Sequence, residues 1–224
     1  YESYVEGYPM GALFSYRYAG LDSEGRPQAY DKDGNIVTGY DIDYLTKDDL
    51  VYSGTTIPKY YGGLTNTFTY KDLSLSFMFV YNLGHKMRQD GLYFYGRPGT
   101  NLSEEFDRRW RQPGDEAFTD VPRYTTENDY SLKSDVYYKA DTRVLDASYI
   151  RLRDITLSYT LPKDFCNKLK LENIRLTAQI GNLLLIDFND ADIDPEYYLY
   201  TSGNYYSRQD KYGPSYSLGL NIDF

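Results

Sequence analysis

The last ten residues of this chain alternate without a break between two chemical classes. Tyr216, Leu218, Leu220, Ile222 and Phe224 share one parity, and Ser215, Ser217, Gly219, Asn221 and Asp223 share the other. Period two is the mark of a strand whose faces meet different surroundings, one apolar and one wet. Ile174, Leu176, Ala178 and Ile180 repeat the scheme against Arg175, Thr177, Gln179 and Gly181. Leu73, Leu75, Phe77, Phe79, Tyr81 and Leu83 alternate with Ser74, Ser76, Met78, Val80 and Asn82, and Leu64, Phe68 and Tyr70 precede them across Lys71-Asp72, a link of hairpin length. Phe14, Tyr16 and Tyr18 give another strand. A further one changes parity midway, with Ile150 and Leu152 followed by Ile155, Leu157 and Tyr159, so a bulge is expected near Arg153-Asp154.

Six strands are therefore predicted, over 12–20, 60–70, 73–83, 148–160, 174–182 and 214–224. Their links alternate between long (21–59, 84–147, 183–213) and short (71–72, 161–173). Long loops are uncommon inside compact soluble domains. Outer-membrane barrels, in contrast, join strands of about 9–11 residues by short turns on one side and long loops on the other. The expected fold class is all-β, an antiparallel transmembrane β-barrel. Barrels of this kind begin at about eight strands, so the chain is expected to be the C-terminal part of a larger one. The rival is a secreted soluble β-sandwich binding carbohydrate through aromatic loops, because sandwich strands alternate equally well. The mean hydropathy of −0.63 decides nothing, since loops and every second strand position are polar in a barrel too. The short link 161–173 is expected to hold a helical turn behind Pro162, with Phe165 and Leu169 on one side.

Composition removes other classes. Lys and Arg number 24 against 33 Asp and Glu, and a net charge of −9 makes nucleic acid a poor partner. No apolar run approaches the roughly 18–20 residues of a membrane-spanning helix. Cys166 is the single cysteine and His85 the single histidine, so disulfides, cysteine-based zinc sites and histidine clusters are excluded within the chain. No phosphate-cradling glycine motif occurs, no pair of acids stands out for hydrolysis, and neither an enzyme nor a cofactor is expected. The chain starts at Tyr1, and any targeting signal is expected upstream. The 28 tyrosines suit the rims of a barrel, where the ring meets lipid and the hydroxyl water, and ordinary strand propensity explains them as well.

Several segments resemble the C-terminal barrel of the SusC/RagA family of TonB-dependent transporters. They are Gly54 to Tyr70 (GTTIPKYYGGLTNTFTY) with Leu73 to Phe79, Ala19-Gly20-Leu21-Asp22 with Gly25 and Pro27, Trp110 with Pro113-Gly114-Asp115, Ala147 to Arg153 (ASYIRLR), Asp194-Pro195-Glu196, and the ending Gly219 to Phe224. The resemblance implies a 22-stranded barrel in the outer membrane of a Gram-negative, Bacteroidetes-like bacterium. It implies an N-terminal plug, pulling by TonB, a SusD-like lipoprotein lid and a cargo of glycans or peptides. The plug and the TonB-binding segment are not in this sequence. The terminal alternation Tyr216, Leu218, Leu220, Ile222 and Phe224 also resembles the signal read by barrel-insertion machinery.

Among candidate sites, Tyr93, Phe94, Tyr95 and Trp110 can stack on cargo or anchor their own long loop. Arg108, Arg109 and Arg111 can bind an acidic cargo or form salt bridges within the loop. Asp190, Asp192, Asp194 and Glu196 are a weak calcium candidate, four hard oxygen donors within seven residues. Asp31-Lys32-Asp33-Gly34-Asn35 lacks the closing acid of a calcium loop and reads as a tight turn. His85 is expected at a solvated rim, and Cys166 as buried filler in the short turn.

Overall fold

A computed structural model describes residues 5–89, 105–125, 129–201, 205–208 and 213–224. Among them are thirteen strands, β1 (Ala12–Leu21), β2 (Pro27–Tyr30), β3 (Ile36–Thr38), β4 (Leu50–Thr55), β5 (Tyr60–Tyr70), β6 (Leu73–Leu83), β7 (Lys86–Arg88), β8 (Val144–Asp146), β9 (Tyr149–Thr160), β10 (Asn173–Asp187), β11 (Tyr198–Thr201), β12 (Tyr205–Arg208) and β13 (Ser215–Asp223). Three short helices accompany them, α1 (Glu105–Arg108), α2 (Ser134–Tyr138) and α3 (Lys163–Lys168). Among the described residues no helix is long and apolar enough to cross a membrane. The chain divides into two compact units.

The second unit, 58–85, 147–197 and 209–224, is built on one antiparallel sheet in the order β13-β10-β9-β6-β5. Its five strands are those expected over 60–70, 73–83, 148–160, 174–182 and 214–224. Tyr70 pairs with Leu73 across Lys71-Asp72, and Lys71 accepts a left-handed φ of 52° to close the hairpin. The link 161–173 contains α3, begun by Pro162, with Phe165 and Leu169 exposed and Cys166 buried, its thiol 3.8 Å from the Leu161 carbonyl. The anticipated bulge is present. Asp154 pairs with Met78 and Leu152 with Phe79, leaving Arg153 as the extra residue of β9. A second shift lies between Gly181 and Leu184, where Asn182 takes a φ of 54°, and this lets β10 run on to Asp187, past the expected end at 182.

The first unit, 5–57, 86–146 and β11–β12, has its own sheet in the order β3-β2-β1-β4, plus the pairs β7–β8 and β11–β12. Here the expectation of six strands in one wall is corrected. The strand over 12–20 forms as β1, but it pairs with β2 and β4 and not with the five-stranded sheet. Its partners are close in sequence, and two aspartate turns fold them back. Asp22 accepts the backbone N–H groups of Glu24 and Arg26, and Asp31 those of Asp33 and Asn35. The Asp31–Asn35 segment is thus the tight turn expected. Two apolar clusters, one of Val121, Leu132 and Tyr137 and one of Ala29, Ile42 and Val136, give the long links a core. Buried Arg88 ties the strands together, donating to the carbonyls of Phe14 and Ala140 and to the Ser15 hydroxyl.

Candidate functional site

The register of the five-stranded sheet sorts its side chains into two fields. Across β5, β6, β9, β10 and β13, one row reads Tyr70, Leu73, Tyr159, Leu176 and Leu220, and the next Phe68, Leu75, Leu157, Ala178 and Leu218. A third reads Asn66, Phe77, Ile155, Ile180 and Tyr216. Beyond the bulge, Leu64, Phe79, Leu152 and Leu184 follow, then Gly62, Tyr81, Ile150 and Ile186. Many of these are exposed, Leu218 at 90%. The opposite parity carries Thr69, Ser74, Ser158, Thr177 and Gly219, then Thr67, Ser76, Thr156, Gln179 and Ser217. Asn66 interrupts the apolar field, and Met78, Val80 and Leu185 the polar one. An exposed apolar field this wide, backed by a hydroxyl-rich one, is what separates hydrocarbon from water.

The same register sets the ends. Tyr60, Leu83, Tyr149 and Asp187 are neighbours at one end, where long links leave, while Tyr70, Leu73, Thr160 and Asn173 lie at the other, where links are short.

On the polar parity, Arg151 is 2% exposed and donates Nη2 to both Asp194 oxygens at 2.6 Å, with Nε 2.8 Å from Glu196. Arg153, the bulged residue, donates to Glu196 and, at 3.1 Å, to Asn182. The same geometry bears on the weak calcium candidate Asp190, Asp192, Asp194 and Glu196. Two of the four acids are counter-ions of arginines, and among the described residues no three metal-capable side chains converge. Sequence reasoning noticed both ASYIRLR and Asp194-Pro195-Glu196 but not that they meet; the paired charges were the available signal.

His85 is also corrected. It is 8% exposed, and its carbonyl accepts the Ala147 N–H. Tyr93, Phe94 and Tyr95 lie outside the described residues. Trp110 lies against Gly25, whose φ is +72°, and its Nε1 donates to Glu116 at 2.9 Å, so the indole anchors its loop. Arg109 stacks on Phe106 with 3.7 Å to the ring centre and donates to that residue's carbonyl, and Arg111 donates to the Asp107 carbonyl at 3.0 Å. These arginines cap backbone, where salt bridges were one expectation. Tyr216, Leu218, Leu220, Ile222 and Phe224 all lie exposed at the chain's final strand.

The first unit also encloses a cleft of about 1260 Å³. Tyr8, Phe14, Tyr16 and Tyr130 supply aromatic lining, and Asp43, Asp48, Asp129, Asp135, Lys47 and Lys133 supply charge. Asp43 is paired with Lys133 at 2.6 Å and Asp135 with Lys139 at 2.8 Å. Tyr8 packs edge-on to Phe14, centroids 5.0 Å apart. A cleft above the roughly 300–1,000 Å³ of drug-sized sites suits an extended ligand.

No family model matches the chain. TonB-dependent receptor P3 of Formosa agariphila is 25% identical over 202 residues, covering 86% of this chain and 19% of the receptor. TonB-dependent receptor P26 of the same organism is 31% identical over 156 residues, 68% of this chain and 15% of that protein. The solved RagAB peptide transporter superposes with a TM-score of 0.65 at 25% identity, over 97% of this chain and 23% of the solved one. The 'closed-closed' RagAB peptide importer gives 0.61, also at 25% identity. The chain therefore belongs among the TonB-dependent receptors, of which it spans about a fifth or less. Its place among them is the SusC/RagA family of outer-membrane β-barrel transporters, and this displaces the soluble-sandwich alternative.

Proposed function

We propose that this chain supplies membrane wall and outer loops to a TonB-dependent importer of glycans or peptides in the outer membrane, working with a SusD-like lipoprotein lid. The two-field sheet carries the reading. Its apolar rows meet lipid, its hydroxyl rows face the water-filled interior and plug, and its outermost strands β5 and β13 join the rest of a 22-stranded barrel, because lipid cannot hydrogen-bond a bare edge. Energy coupling to TonB resides in segments outside this sequence. The reading assigns no catalytic group and no cofactor. Cargo contact falls to the aromatic cleft of the first unit, with Trp110 holding the loop that borders it in sequence.

The test is extraction and mobility. The receptor should leave membranes only with detergent and migrate faster on a gel before boiling than after, as closed barrels do. Release into buffer as a soluble monomer would refute the proposal. For the cleft, Tyr130→Ala and Asp48→Ala in the full receptor should weaken cargo binding without changing that heat-dependent mobility; unaltered binding in both would remove the cleft from the path.

A further inference from the structure

We infer that the segment 188–197 is a strap folded back over the wet face of the sheet and latched there by Arg151 and Arg153. Leaving β10 at Asp187, the chain turns at Asn189, whose side-chain oxygen accepts the N–H groups of Ala191 and Ile193 and whose amide donates to the Ile193 carbonyl at 2.9 Å. The turn returns the chain toward the sheet. Asp194 then reaches Arg151, which pairs in register with Leu185, two residues before β10 ends. Ile193 is 3% exposed and Asp194 5%, so the returning limb is packed down and does not project as a free loop.

The latch depends on the bulge. Arg151, Arg153 and Ile155 are all odd-numbered and would share one face of a regular strand; the extra residue at 153 puts Arg151 on the face opposite Ile155 and Phe77. Buried guanidinium–carboxylate pairs are poor sources of net stability but specify one geometry, because breaking either partner leaves an uncompensated charge. Arg151 Nη2 shared between both Asp194 oxygens, with Nε turned to Glu196, adds direction. Arg151, Arg153, Asp194 and Glu196 are thus positioning residues. They fix how far the strap reaches across the wet side and so how much width is left there for a passing molecule.

The test uses the full receptor in native outer membrane, in a Cys166→Ser background. An Ile193→Cys thiol should react with a charged, membrane-impermeant maleimide at least tenfold more slowly than an exposed control thiol at Asp192→Cys. Adding Asp194→Asn or Arg151→Gln should raise the Ile193→Cys rate at least tenfold, with heat-dependent mobility retained, and the exchanged pair Arg151→Asp with Asp194→Arg should return part of the protection. Equal rates in parent and latch variants overturn the strap, as does an Ile193→Cys thiol that reacts like the control. Should the Arg151 variants fail to assemble, Glu196→Gln decides by hydrogen exchange: amides of 189–196 should exchange faster in that variant than in the unmodified receptor, and equal exchange overturns the latch.

Discussion

Placing a single arginine at successive positions of β9 separates a membrane wall from a soluble core. The apolar rows run from that of Leu73 and Tyr159 to that of Tyr81 and Ile150. Eight residue steps along β6 at about 3.3 Å, tilted about 40°, separate these tyrosine-bearing rows by roughly 20 Å of depth, within an apolar band of about 25 Å. Ile155 occupies the third of five rows and so lies near the midplane; Tyr159 lies at the rim, and Thr156 points the other way. Ile155→Arg should cost about 2–4 kcal/mol of folding free energy in lipid, and Tyr159→Arg about 0–1, because the penalty falls toward the interface. Thr156→Arg, facing water, should cost less than Ile155→Arg by most of that difference. The measurement is denaturant-dependent folding of the full receptor into phospholipid vesicles, scored by gel mobility without boiling. Comparable losses at 155, 156 and 159 would refute the assignment of faces, and an equally large loss at 155 and 159 would point to a uniform protein interior.

Three more outcomes follow from the geometry. Gly25→Ala forces a left-handed φ on an L side chain, worth about 1–2 kcal/mol, and drives a methyl to 2.5 Å from the Trp110 ring, with overpacking of about 1–3 kcal/mol; amide exchange over 105–121 should accelerate, and unchanged exchange would contradict the packing. Asp49 is held below the usual carboxylate range by the backbone N–H groups of Thr46 and Lys32. A depressed value means that its stabilisation is present above an ordinary carboxylate pKa and is lost as pH falls through the folded one. Protection over 46–50 should therefore decline below about pH 4, and Asp49→Asn should abolish that acid dependence; an identical acid limb in both proteins would count against it. Phe224→Ser should lower the amount of assembled receptor in the membrane while synthesis continues, and equal assembled levels would remove the terminal residue from the insertion signal.

Alternation made the five wall strands legible, because each strand there faces two different solvents and the sequence records both; it missed the last five residues of β10, which lie past the irregularity at Asn182. It also exposed the bulge at Arg153, as a change of parity. What alternation does not record is partnership. β1 alternates like the others, yet the aspartate turns after Leu21 and Tyr30 fold its neighbours onto it in a separate sheet. Composition alone left 190–196 open between a donor set and a turn, because the counter-charge for Asp194 and Glu196 comes from arginines 43 residues away. His85 looked like a rim residue because it follows Gly84 at the end of a predicted strand, whereas it is buried, with its carbonyl bonded to the N–H of Ala147, 62 residues on. The cleft was invisible for the same reason, being assembled from stretches around Phe14, Thr46 and Ser134.

The extra residue in β9 decides where that strand can be shortened. Deleting position 153 would set Asp154 beside Leu152 and restore strict counting by twos, with Leu152 and Ile150 still opposite Phe79 and Tyr81 and Arg151 still on the aqueous side. The loss would be the Arg153 guanidinium and its contacts with Glu196 and Asn182. A residue removed on either side of the bulge would instead turn part of the strand over, thrusting polar groups among acyl chains, so one lost codon spares the wall at 153 and damages it elsewhere in β9.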